Sequence, residues 1–304
     1  MRNALKQFWR SSPPKLPDST ERRLEGSEVV VHFPANKSAM TRERPATRSS
    51  LLNEFRNLGI AAGDIVMVHA AVRKVGPIVG GVTTLVQALL DAVGTDGTLA
   101  AYVDWELGFE PDAVEREYTD DIPLFDKRLA RAARDYGILP EVIRTWPRAV
   151  RSDNPDAGVA AVGARAEWLC ADHALSYGYG EESPYAKLVA SAGSILVLGA
   201  PLDTMTLLHH SEHVARLGKK RVKRYRRKVL IDGEPRWIDI EEFDTSDPIV
   251  EGMPEDHFAR IAAAALKSGA GRRGVVGAAD AYLFNAASLH RIGVDWLEAW
   301  QPDR

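Results

Sequence analysis

Residues 194–213 read SILVLGAPLDTMTLLHHSEH. SILVLG (194–199) is a short continuous apolar run, the length of a strand buried on both faces. A Gly-Ala-Pro turn follows, and the segment from Thr206 to Gly218 then has the spacing and glycine stop of a capped helix. The unit recurs upstream. IVMVHA (65–70) is a second buried strand, followed by the turn RKVGPIVGG and a helical stretch, TTLVQALLDAVG (83–94). TLAAYV (98–103) is a third strand. Repeated passes from buried strand to helix predict an α/β protein with a largely parallel sheet, covered on both faces.

The flanking segments fit that frame. Thr47 or Ser49 can cap a helix over LLNEFRNLG, ended by Gly59. Helices are expected over 138–146, 182–193, 257–268 and 286–300, and short strands over 160–163 and 281–284. GAGRRGVVG (269–277) reads as a loop. Residues 223–243 alternate around Asp232-Gly233, the strongest hairpin signal in the chain. The basic run KKRVKRYRRK (219–228) is expected to be one exposed strand of that hairpin rather than a nucleic-acid surface.

Composition excludes several classes. The chain has 304 residues, 45% hydrophobic, with a net charge of −3, so it can bury a sizeable core and is not disordered in bulk. A single Cys excludes a disulfide framework and a Cys-based zinc cluster. No apolar run approaches the 18 or so residues of a membrane span. Residues 1–49 hold ten Lys/Arg against five Asp/Glu, which leaves an acidic body with no nucleic-acid partner expected. These features predict a soluble, cytoplasmic protein: a mobile extension over 1–46, rich in chain breakers, then one domain over 47–304.

Chemistry concentrates in the helix after SILVLGAPLD, beyond the end of a buried strand, where open α/β sheets place ligands. His209 shares a helix face with Glu212 and His213, whereas His210 points elsewhere. Two chemistries compete. H-x-x-E-H is an inverted zinc-peptidase signature, with His209 and His213 as ligands and Glu212 activating water. Alternatively, one His oriented by a carboxylate acts as general base on an amine or hydroxyl. In the turn over 69–81, Gly76, Gly80 and Gly81 permit close backbone approach, and Arg73 and Lys74 add positive charge, which suits a phosphate-bearing cofactor. Cys170 reads as core rather than nucleophile. RNLGIA (56–61) spells an acyl-CoA signature of another fold but sits at a helix end, out of context.

Six stretches, in this order, resemble the aminoglycoside 3-N-acetyltransferase family: 63–81, 91–105, 144–163, 177–189, 196–213 and 243–248. The run GAPLDTMTLLHHSE (199–212) is the most specific. The resemblance covers about residues 47–298. It implies a three-layer α/β/α fold with a mixed, largely parallel central sheet. It implies direct acetyl transfer from acetyl-CoA to the 3-amino group of the 2-deoxystreptamine ring, with no metal, and leaves a homodimer open. A zinc hydrolase, or a non-catalytic CoA-binding protein of the same fold, is the alternative.

Residue by residue, the resemblance places the base on His209 and the acid beside it on Glu212. The CoA loop falls on Ala70, Ala71, Val72, Arg73, Lys74, Val75 and Gly76, with Gly80 and Gly81, and a second contact falls on Arg151 and Ser152. Ala71 stands where relatives often have Ser, and Asn154 where they often have His. Ala259 stands where several have a Glu that partners the base, so Glu212, Asp244 or Glu255 must orient His209. Acidic segments over 104–126 and 239–256 suit a polycationic substrate, with Asp104, Glu182, Asp203 and Asp244 as expected contacts.

Overall fold

The central strands are the ones the apolar runs announced. In the computed structural model, which describes residues 44–107, 123–245 and 248–300, β1 (Ile65–Ala70), β2 (Thr98–Tyr102) and β6 (Ser194–Leu198) lie side by side and parallel. β-branched and small apolar side chains pack on both faces of a twisted sheet, which is why these runs do not alternate with polar residues. The full sheet has seven strands in the order β4-β5-β2-β1-β6-β10-β9. Its flanks are antiparallel: β5 (Val159–Gly163) on β2, β4 (Val150–Arg151) on β5, β10 (Ala279–Asn285) on β6, and β9 (Gly271–Val276) on β10. β9 corrects the loop expected over 269–277. Its arginines stay exposed at the sheet edge, so it lacks the apolar pattern of a buried strand.

Helices cover both faces. α1 (Arg48–Leu58), α2 (Gly81–Val93) and α3 (Ile138–Arg144) pack on one side through Phe55, Leu89 and Ile143. On the other lie α4 (Ala166–Cys170), α5 (Pro184–Ala190), α6 (Leu207–Val214), α7 (His257–Lys267) and α8 (Ala286–Ala299). Their starts follow local chemistry. The Thr47 and Ser50 side chains close a reciprocal box on α1, and the Ser183 hydroxyl accepts from the Ala186 amide before Pro184 opens α5. α6 corrects the expected cap: the Thr206 side chain does not cap it, and a tight backbone turn over 205–209 starts the helix instead.

β3 (Leu124–Phe125), β7 (Val222–Ile231) and β8 (Glu234–Phe243) form a second sheet. Asp232 and Gly233, at φ 53° and 83°, make the two-residue turn between β7 and β8. Arg224 lies opposite Glu241 and Arg226 opposite Asp239 in this ladder. The described residues belong to one compact unit, 43–304, and the expected extension lies outside them except for residues 44–46. Of those three, Ala46 is tied down, because it bridges to Ile78 beside the turn after β1. Among the described residues, no helix is long and apolar enough to cross a membrane.

Candidate active site

The parallel strands β1, β2 and β6 all end on one edge of the sheet, and the loops leaving them carry the predicted residues. After β6 the chain turns through Gly199 and a single 3₁₀ turn over 202–204 into α6. Gly199 has φ 65°, and a Cβ there would lie 3.0 Å from the Lys74 Cβ and 3.4 Å from the Ala71 carbonyl oxygen. Only glycine lets the turn after β6 abut the turn after β1 so closely.

On α6 the imidazole of His209 and the carboxylate of Glu212, one turn apart, are 2.7 Å from Nδ1 to Oε2. The other carboxylate oxygen, Oε1, lies 2.8 Å from Nε2 of His257 at the start of α7. His257 Nδ1 is in turn 2.8 Å from the Pro254 carbonyl, which can only accept. Both ring nitrogens of His257 thus face acceptors, which a ring with a proton on each nitrogen satisfies, and Glu212 is bonded on both oxygens. Glu212 is 2% exposed. Burial pushes its pKa up, but the hydrogen bonds from His209 and His257 outweigh that and hold it below the usual carboxylate range. An ionised Glu212 accepts from His209 Nδ1–H, fixing the tautomer whose Nε2 is the basic nitrogen. The His209 ring is wedged between Tyr179, at 4.9 Å between centroids, and Phe258, at 4.8 Å.

Glu212 is thus the carboxylate that orients His209. Asp244 ion-pairs with Arg221 instead. His257 is the residue that sequence reasoning missed. It sits two positions before Ala259, at the start of α7, and the packing of that helix brings it to Glu212.

His213 does not join this set. Its ring packs edge-on against Tyr177 and Phe243, at 5.6 and 5.0 Å, and burial, with Lys220 and His210 nearby, pushes its pKa down to about 4. His209 bonds Glu212 while the His213 ring packs on Tyr177 and Phe243, so the two do not converge as the paired ligands that the zinc reading requires, and both Glu212 oxygens are taken by imidazoles. Among the described residues no cluster of three or more His, Cys, Asp or Glu is arranged to hold a metal ion.

The turn after β1 has the features of an anion cradle. A 3₁₀ turn over Val72–Val75 ends at Gly76, with φ 85°, and Gly80 and Gly81 both have positive φ. No side chain caps the first turn of α2, so backbone N–H groups there remain for an anionic ligand. Arg73 and Lys74 are exposed, without an ion-pair partner among the described residues. These residues fit the pyrophosphate of a CoA-type ligand. Val75 departs from the expected contact set, since it is 2% exposed and packs into the core.

Arg151 and Ser152 lie at the same edge, at the end of β4. Arg151 donates to the Val103 carbonyl at 2.8 Å and lies over the Phe125 ring, and its Nε and Nη1 are buried without partners. Ser152 is fully buried. Its hydroxyl accepts from the Val159 amide and bonds the His173 ring, so it braces the strand end instead of facing a cofactor.

The expected substrate carboxylates differ in their surroundings. Glu182 lines an open cleft of about 430 Å³ with Glu181, Tyr177, Phe243 and His213. Asp104 is largely buried beyond β2. Burial, reinforced by the Asp156 carboxylate, pushes its pKa up to about 7. Asp203 is exposed on the 3₁₀ turn before α6. Four acids of the segment 239–256 are paired with arginines that flank it: Asp239 with Arg226, Glu241 with Arg224, Asp244 with Arg221 and Asp256 with Arg260. Most of the segment 104–126 lies outside the described residues.

Comparison with known proteins places the chain in a family. The family model for aminoglycoside 3-N-acetyltransferases matches residues 67–298. Aminoglycoside N(3)-acetyltransferase III of Pseudomonas aeruginosa is 47% identical over 260 residues, covering 84% of this chain and 94% of its own length. Type VIII of Streptomyces fradiae is 42% identical over 265 residues, with 84% and 93% covered. A solved structure of AAC-IIIb in binary complex with CoASH superposes with a TM-score of 0.81 at 50% identity, covering 84% of this chain and 99% of that one. AAC-VIa bound to sisomicin does so with a TM-score of 0.79 at 38% identity, covering 84% and 98%. By its family model and by relatives that match nearly their whole length, this chain belongs to the aminoglycoside 3-N-acetyltransferase family of acyltransferases.

Proposed function

We propose that the protein transfers an acetyl group from acetyl-CoA to the 3-amino group of the 2-deoxystreptamine ring of an aminoglycoside, in the cytoplasm, with His209 as general base. The observation that carries the reading is the Glu212 carboxylate held between His209 and His257, which leaves His209 Nε2 as the basic nitrogen. Relatives solved with CoASH and with sisomicin support the choice of substrates.

Acetyl-CoA supplies the acetyl group as a thioester. Ala70, Ala71, Val72, Arg73, Lys74 and Gly76, with Gly80, Gly81 and the first turn of α2, would hold its phosphates and pantetheine arm. Arg151 adds a buried cation at the same edge. Asp104, Glu182 and Asp203 would hold the ammonium groups of the aminoglycoside, and Glu181 joins them on the rim of the cleft. An ammonium cannot attack a thioester, so the neutral amine is the nucleophile, and His209 Nε2 takes the proton that the nitrogen sheds as it bonds to the carbonyl carbon. The ionised Glu212 stabilises the imidazolium that forms. Backbone N–H groups at the strand ends would donate to the carbonyl oxygen as negative charge develops there.

The test is acetyl transfer to gentamicin or kanamycin, followed by release of the CoA thiol. His209→Ala should lower kcat by about 10²–10⁴-fold, the usual contribution of a positioned base, with the KM for acetyl-CoA little changed. His213→Ala should cost far less. Equal loss from the two substitutions would remove the base from His209.

A further inference from the structure

His69, the penultimate residue of β1, is a half-buried ring at the catalytic edge that no role above uses. It pairs with Val197 of β6. Along β1, Ile65 and Met67 face the layer of α4–α8, whereas Val66 and Val68 face that of α1–α3. Strand alternation therefore puts His69 on the side of α6 and His209.

The neighbours locate it further. The β1–β2 register pairs Met67 with Ala100, and two residues on it sets His69 beside Tyr102. The Tyr102 and Tyr179 hydroxyls are 3.4 Å apart, and the Tyr179 ring contacts His209. Two tyrosines thus span the distance from His69 to the base. On its other side the chain enters the cofactor turn at Ala71, only two residues on. His69 stands between the turn that would hold acetyl-CoA and the residue that would deprotonate the amine.

Its Nε2 is buried and has no hydrogen-bond partner. Buried polar atoms are nearly always paired, so an unpaired one at a strand end that faces a ligand site calls for a partner brought by the ligand. Burial also pushes the His69 pKa down to about 4. The ring is therefore neutral at pH 7 and offers an N–H without giving up a proton, the form that best polarises a carbonyl.

We propose that His69, through Nε2–H, donates a hydrogen bond to the carbonyl oxygen of the thioester and stabilises the oxyanion which that oxygen becomes. The inference rests on the acetyltransferase reading. In the step, the amine nitrogen bonds to the carbonyl carbon while the carbonyl π pair moves onto oxygen beside His69. His209 takes the amine proton. The pair then returns, the C–S bond breaks, and the thiolate leaves with its electron pair and takes the proton from His209. The products are the amide and the free thiol, and His69 neither gains nor loses a proton.

The test uses the full chain with [1-¹³C]acetyl-CoA and no aminoglycoside. In difference infrared spectra, the bound thioester carbonyl stretch should lie lower in wild type than in His69→Ala or His69→Leu. In the transfer assay both variants should lose about 10²–10³-fold in kcat, the usual effect of removing one oxyanion donor, with the KM for acetyl-CoA little changed. His69→Gln, which keeps an N–H donor, should retain more of both signals, and it serves as the readable variant if the others fail to fold. An unchanged carbonyl stretch in a folded variant overturns the proposal. So does equal loss in the Ala, Leu and Gln variants, which would assign His69 to packing. A wild-type chain that acetylates no aminoglycoside defeats the parent reading instead, and the infrared comparison still decides what His69 does.

Discussion

Helix α6 and the β7–β8 hairpin are two segments dense in ionisable residues, and they use them in opposite ways. In α6, His210 and Glu212 are 4% and 2% exposed, and every bond they make points inward. On the exposed face of the hairpin the charges stand in water and pair across the ladder, Arg226 with Asp239 at 2.9 Å. Away from water a hydrogen bond to a charge holds a geometry, because the alternative is an unpaired buried charge. In water the same pair exchanges with solvent and is worth about 0–1 kcal/mol. Charge density alone does not mark a site; charge that the fold has taken out of water does.

The comparison breaks most visibly at Glu212. Glu212→Gln keeps the shape but no longer dictates the His209 tautomer, so kcat should fall by at least about 10²-fold. A Gln variant with wild-type kcat would show that the clamp is only structural.

Acidification tests the buried side as a whole. Burial pushes His69, His173, His213 and His290 down to about 4. The unfolded chain protonates these rings near 6.5, so between pH 6.5 and 4 it takes up protons that the folded chain refuses. Stability is then lost as pH falls through that window. Asp104 and Glu242, pushed up by burial to about 7 and about 6, oppose the trend, because they bind protons more readily when folded. The four imidazoles outnumber them, so Tm should drop between pH 7 and pH 5. A flat Tm over that range would contradict the assignment.

The hairpin itself offers a graded pair. Arg227 is 9% exposed and donates to Asp156 at 2.9 Å, where Tyr225 also bonds. Arg227→Met should cost about 1–3 kcal/mol, since it strips a cation from a half-buried carboxylate. It should also push Asp104 further up, because both Arg227 and Asp156 act on it. Arg226→Gln, one residue away on the exposed face, should change stability by less than about 0.5 kcal/mol and leave kcat alone. Equal costs from the two, read by chemical denaturation, would erase the distinction between the faces.

Much of this was legible without coordinates, for local reasons. The strand runs, the Thr47 cap, the Asp232-Gly233 turn and the pairing of His209 with Glu212 one turn later all follow from side-chain period and backbone sterics. Those rules act over a few residues and leave their mark in a few residues. β9 escaped because an edge strand needs no apolar pattern, and Ser152 was misplaced because its partners, Val159 and His173, are found only across the folded strand end.

By itself the amino-acid sequence determined the α/β architecture, the family and the helix that carries His209 and Glu212. The tertiary structure alone decided the rest of the site. It brought His257 to Glu212 across 45 positions, turned His213 away from it, spent Asp239 and Glu241 on hairpin arginines, and left His69 Nε2 buried without a partner. The physical reason is common to all four. Which polar groups meet, and which are withdrawn from water, depends on how separate elements pack, and no spacing along the chain encodes that distance.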